Sequence, residues 1–530
     1  MVETVVLGLD GATWTVLDDL IEQGTLPNIA SLTEAGYSGT LESTYPPITA
    51  PAWLSMATGQ NPGKTGVFYF LNRESPDSYA FETLGSEKFE GRSFWDVLSA
   101  RGHSVGVFNF PMLYPPYELD GFMVSGLGSP EDGTITYPES LANDLERVTD
   151  GYQVEVPYAD PKYADRPEEL EDDLLTVVEK REAAIEYLLT DHDPDVFFGV
   201  VSATDWAQHY FWRHYDPEHV LHEESPSSDA LTKVWERVDE TVGLVAARAA
   251  RDDARLLLVS DHGFGPVNRT FHSNDWLRRE GFRVDTAESI VDQLRTTYFP
   301  HLRRLGEAVV SVVPQLNDVA KSVGTSIRKS PGSNVDVDAS IAFAPRQNLT
   351  CGMVYFCTED ETSRRHVIEG LESLPAPDGE HLDVTVYDPA DLYEGPNTDL
   401  APDLLFTIDD FECAVDPRPA TSGRVFETGP PSPARSGGHR REGVFVFTGP
   451  NVRSGSEGAA TLLDVAPTLL WLQDEPIPEE MDGEPMFDAF AVESAPPNRV
   501  PLADLVNSER VVRRADDEEV QQRLEDLGYI

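Results

Sequence analysis

Short, almost uniformly apolar runs alternate along this chain with longer stretches whose apolar residues recur every three or four positions. "TVVLGLDG" opens the series and runs out at Asp10. "WTVLDDLIEQGTLPNIASLTEAG" then has helical spacing on both sides of Pro27, which predicts a helix, a break and a second helix. The couple recurs, helix before strand. "FWDVLSARG" precedes "HSVGVFNFP", "EELEDDLLTVVEKREAAIEYLL" precedes "PDVFFGVVSATD", and "KVWERVDETVGLVAARAA" precedes "ARLLLVSDHGFG". "EGVFVFTGPNV" and "TLLDVAPTLLWLQ" read as a last strand and its covering helix. Strands that are apolar throughout, rather than on alternate positions, must be covered on both faces. The predicted class is therefore α/β, with a mainly parallel sheet between two helical layers.

Two segments break the rhythm. Residues 111–165, rich in Pro, Tyr, Gly and Asp, are expected to form a long surface excursion. Residues 284–340 are expected to form a helical insertion or cap. Between Ile290 and Ser330 this segment is locally basic, with Arg295, Arg303, Arg304, Lys321, Arg328 and Lys329 outnumbering the acids. The expected division is a catalytic core over 1–283 and 341–490, the insertion at 284–340, and a C-terminal helical tail at 491–530. The tail includes the amphipathic "DDEEVQQRLEDLGYI".

Composition narrows the function classes. The 530 residues carry 93 Asp and Glu against 40 Lys and Arg, a net charge of −53. The acid is spread along the chain, which suits solvation of a surface in a very salty cytoplasm, where screening limits self-repulsion. It argues against binding a nucleic-acid polymer, which needs a basic footprint. Cys351, Cys357 and Cys413 make neither a disulfide framework nor a zinc-ribbon spacing. The first residues show no signal-peptide pattern, and no apolar run reaches the roughly 18 residues of a membrane span, so a cytoplasmic protein is expected.

Candidate chemistry gathers where the strands end. Asp10 closes the first run. Asp205 and His209 in "TDWAQHYFW" are one helical turn apart, as a metal pair would be, although an N-capping Asp beside a surface His has the same spacing. Asp261 and His262 are adjacent in "SDHGFG", and sharing one ion requires the turn that Gly263 and Gly265 permit. His439 lies in the glycine-flanked "GGHRREG". Three carboxylates and three imidazoles fill two tetrahedral sites if a hydroxyl and a water or substrate oxygen join them. The hydroxyl on offer is Thr49, bracketed by Pro46, Pro47 and Pro51 at the mouth of a helix; an ordinary N-cap is the other role for it.

Taken together, "LGLDGA", "TLPNIASLTEAG", "ITAPAWLSMATGQNPGKTG", "TDWAQHYFW", "SDHGFG" and "GGHRREGVFVFTGP" resemble, in that order, the alkaline phosphatase superfamily. Within it they resemble the type I phosphodiesterase/nucleotide pyrophosphatase branch, here in an acidic, haloarchaeal-like form. The resemblance covers roughly residues 1–275 and 340–485. It implies an alkaline-phosphatase-like three-layer sandwich and a metal-dependent hydrolase of phosphate esters in which Thr49 is the nucleophile. One divalent ion would be held by Asp10, Thr49, Asp261 and His262, the other by Asp205, His209 and His439. Zinc is the family's usual metal and manganese occurs in related branches. The substrate would be a small-molecule phosphate ester, or a nucleotide or lipid diester. The family's asparagine three residues past the nucleophile is replaced here by Ala52, so another phosphate-oxygen donor is needed, with Lys64 as a candidate. A phosphomonoesterase or a phosphoglycerate mutase-like enzyme of the same superfamily is the alternative, followed by a non-catalytic binding protein.

Overall fold

In a computed structural model, the protein is described over residues 1–130, 133–223, 225–286, 335–345, 350–377, 379, 382–491, 497–506, 517–527 and 529. A nine-stranded sheet forms its centre. In chain order the strands are β1 (Thr4–Leu9), β2 (Tyr37–Glu42), β3 (Val105–Phe110), β4 (Gly121–Ser125) and β5 (Thr136–Tyr137). β6 (Val196–Val201), β7 (Arg255–Val259), β8 (Glu442–Thr448) and β9 (Ser456–Thr461) complete it. Across the sheet the order is β9-β2-β8-β7-β1-β6-β3-β4-β5, and only β5 and β8 run against the others.

β1, β3 and β6 are buried along their whole length, as their unbroken apolar sequences demand. Helices Pro167–Tyr187, Ala203–Tyr215 and Ala230–Asp252 pack on one another; Thr49–Thr58, Phe94–Ala100 and Val465–Leu472 form a second group. Leu170, Leu174 and Val177 in the first helix, and Val234, Val238, Val242 and Val245 in the third, are the inward stripes. Trp53 lies so close over β1 that a Cβ on Gly8 would stand 2.5 Å from its ring. This approach ties the Thr49–Thr58 helix to the strand that ends in Asp10.

The stretch 111–165 is not a surface excursion. It supplies β4 and β5 to the sheet, and Leu113, Phe122, Val124, Tyr158 and Tyr163 are buried. Residues 342–408 form a separate four-stranded sheet over a second hydrophobic cluster that includes Phe271, Val367 and Phe406. The expected helical insertion at 284–340 lies outside the described residues except at its edges, where Asp285 bridges Val335. The tail does contain a helix, Asp517–Asp526. No described helix is long and apolar enough to cross a membrane.

Candidate active site

Asp10, Asp205, Asp261 and His262 sit just past the ends of β1, β6 and β7, the position at which open α/β sheets gather ligands, while His209 lies one helical turn beyond Asp205 and His439 in a short strand that leads into β8. Asp10 follows β1, and its carbonyl accepts the Thr204 hydroxyl at 2.6 Å. Gly11 turns the chain with φ 69°, and its amide donates to Asp261 Oδ1 at 3.1 Å. A side chain there would also meet the Phe264 ring. Asp205 and His209 face inward from helix Ala203–Tyr215, both buried. Asp261 and His262 follow β7, after which Gly263–Pro266 pairs antiparallel with Gly437–Arg440, opposing Phe264 to His439. That pairing stacks the His262 and His439 rings with centroids 3.7 Å apart. Arg440 fastens it from outside by donating to the Pro266 carbonyl at 2.6 Å.

The six side chains converge. His439 Nε2 is 3.0 Å from His209 Nε2 and 3.2 Å from Asp205 Oδ1. His262 Nε2 is 3.2 Å from Asp261 Oδ2 and 3.7 Å from Asp10 Oδ1. Two sets of three ligand atoms lie within 4.8 Å of one another: Asp205, His209 and His439, and Asp10, Asp205 and His262. Asp205 belongs to both.

The donor chemistry fits divalent metal ions. Every histidine has its Nδ1 against a backbone carbonyl: His209 on Gly437 (2.9 Å), His262 on Gly263 (3.1 Å) and His439 on Pro47 (2.9 Å). A proton on Nδ1 leaves Nε2 as a lone pair aimed into the cluster. Asp10 Oδ1, Asp205 Oδ1, Asp261 Oδ2 and His262 Nε2 are buried there with no hydrogen-bond partner among the described residues. Such atoms are costly to bury unless something binds them. Burial, reinforced by the neighbouring acids, holds the Asp10 and Asp261 carboxyls well above the usual carboxylate range. Burial pushes Asp205 up to about 7 against the pull of Arg435. Burial also drives the His209 and His262 imidazoles well below their ordinary value, and His439 to about 3. Neutral imidazoles beside carboxylates that resist ionising are what a cation would relieve.

Thr49 is the first residue of helix Thr49–Thr58 and is buried; the cap position belongs to Ile48, so the hydroxyl is not an N-cap. The loop before it is held at alternate carbonyls: Ser43 by Arg441, Tyr45 by Tyr393 and Pro47 by His439. The last bond links the Thr49 loop directly to a candidate ligand histidine. Ala52 is fully buried and spends its amide on the Ile48 carbonyl. Lys64 is not brought to the cluster; its ammonium bonds the Glu480 carbonyl at 2.9 Å and pairs with Asp482.

Sequence reading missed three residues that border the site. The Tyr158 ring lies parallel to His209 at 5.4 Å. Arg435 and Tyr529 line the small cavity beside His209 and His439. Arg435 falls in a loop without periodicity and Tyr529 in a polar tail, so neither carries a local signal.

No curated protein matches the chain. The model of the family described as type I phosphodiesterase / nucleotide pyrophosphatase matches residues 4–404. The match thus includes Asp10, Thr49, Asp205, His209, Asp261 and His262, and the pairing of Gly263–Pro266 with Gly437–Arg440 adds His439 from beyond its end. The chain belongs to the type I phosphodiesterase/nucleotide pyrophosphatase family, a metal-dependent group of phosphoric ester hydrolases in the alkaline phosphatase superfamily.

Proposed function

We propose that this protein hydrolyses phosphodiesters through a covalent intermediate on Thr49, with two divalent ions held by Asp10, Asp205, Asp261, His209, His262 and His439. The observation that carries the reading is the convergence of three carbonyl-tethered imidazoles on three carboxylates that each leave one buried oxygen without a hydrogen-bond partner among the described residues, one tether running to the loop of Thr49. Bound there, the ions would supply charge neutralisation and lower the pKa of a hydroxyl or water. Thr49 Oγ1 gives its proton to water and attacks phosphorus while the ester oxygen departs and takes a proton from water in turn. A second water then attacks the phosphorus of the Thr49 phosphodiester, Thr49 Oγ1 leaves and regains a proton, and the phosphate monoester carrying the retained organic group is released. The Thr49 and Ala50 amides at the helix mouth face an anion favourably, whereas Pro51 has none to offer.

Three imidazoles among the ligands suit zinc, with manganese as the second choice. The protein as purified should contain two ions per chain by elemental analysis. Chelation should abolish hydrolysis of bis(p-nitrophenyl) phosphate, and either metal should restore it. A chelated sample that keeps its rate would refute the metal requirement.

Arg435 replaces the expected amide at Ala52 as a contact for phosphate oxygen. It borders the cavity and is the opposing charge at Asp205. Arg435→Ala is expected to raise KM roughly tenfold or more, the size of a lost charge-assisted hydrogen bond, and to weaken inhibition by inorganic phosphate in step. A change in kcat alone would contradict this role.

A further inference from the structure

The cleft next to His209 and His439 is lined by residues distant in sequence. Its walls include Ile48, Tyr69, Phe70, Arg435 and Tyr529. Its free volume is about 40 Å³, room for roughly three waters at about 10–15 Å³ each.

Tyr529 is built into this wall. Its ring centroid is 5.1 Å from Phe70 and, edge-on, 6.2 Å from Tyr158, which in turn lies flat against His209. Trp206 Nε1 donates to its hydroxyl at 3.0 Å, and the Tyr69 hydroxyl donates to its carbonyl at 2.7 Å. The Arg435 guanidinium lies 5.9 Å above its ring. Helix Asp517–Asp526 delivers it by burying Val520 and Leu524 and by pairing Arg523 with the fully buried Glu155 at 2.9 Å. The tail thus places an aromatic ring one ring away from a candidate metal ligand.

We propose that Tyr529 is a specificity-determining residue, whose ring walls the space beside the ligand cluster and restricts the site to phosphate esters with small organic groups, excluding nucleotide-sized ones. The proposal rests on the phosphate-ester reading above, and deepens it. The leaving group can be held constant while the retained group varies, so size is separated from chemistry.

Methyl p-nitrophenyl phosphate and the p-nitrophenyl ester of thymidine 5′-phosphate both release p-nitrophenolate. The unaltered metal-loaded protein should prefer the methyl ester in kcat/KM. Tyr529→Ala should shift the ratio toward the thymidine ester by about tenfold or more, mainly through KM, the scale on which an apolar wall discriminates size. Tyr529→Phe, which keeps the ring, should retain the original preference. If Tyr529→Ala fails to fold, Tyr529→Leu decides the matter with the same sign of shift. Equal losses on both esters, or a thymidine ester already as good as the methyl ester, would overturn the proposal. Turnover of neither ester by the unaltered protein would instead remove the phosphate-ester reading, and this proposal with it.

Discussion

Thr49→Ala should lose at least about a thousandfold in kcat on bis(p-nitrophenyl) phosphate, because the substitution removes the only oxygen at position 49 able to attack phosphorus. The fold should survive. Thr49 is the first residue of its helix and caps nothing, while Trp53, Leu54 and Met56 hold the rest of the helix in the core. Thr49→Ser restores an oxygen at the same atom and should recover much of the rate. Unchanged metal content and circular dichroism in the alanine variant would separate a lost nucleophile from a lost site. Activity within about tenfold of the unaltered protein would rule out the nucleophile.

Asp205→Asn should have the second large effect. Asp205 is shared by both ligand sets, so replacing one oxygen with an amide perturbs both ions at once. A loss in kcat/KM of about a thousandfold is expected, along with reduced metal retention. Stability should move the other way. In the metal-free protein burial raises Asp205 to about 7 from its usual value of 3.8. The stability this group contributes is fully present below the unfolded value and is lost as pH rises toward 7. Metal-free Asp205→Asn has no such proton to lose, so its melting temperature should fall less between pH 5 and 8 than that of the metal-free parent. Identical pH dependence in the two would contradict the burial argument.

Much of this site was legible in the sequence because strand ends are legible. Asp10, Asp261 and His262 directly follow apolar runs, and the one-turn spacing of Asp205 and His209 survives into the helix. Their convergence could only be inferred, since it depends on register. Phe264 opposes His439 across an antiparallel pair whose strands lie far apart in the chain. The sheet was read incompletely for related reasons. β9, "SEGAAT", is an edge strand with partly exposed alternating positions and little apolar content. β4, "GFMVS", is buried but sits among prolines and glycines, which masked it as loop. Tyr529 was beyond reach, because nothing local in "EDLGYI" records a hydrogen bond from Tyr69. Lys64 shows the opposite: the amide missing at Ala52 makes it a candidate phosphate-oxygen donor, while the fold pairs it with Asp482.

The covalent intermediate is the most direct test. The metal-loaded protein is mixed with bis(p-nitrophenyl) phosphate, quenched in acid within a turnover, digested and analysed by mass spectrometry. A p-nitrophenyl phosphoryl group is expected on the peptide containing Thr49 and is expected to be absent in Thr49→Ala. A burst of p-nitrophenolate with the phosphoryl group on any other residue, or full turnover with water attacking directly and no adduct at any quench time, would contradict it.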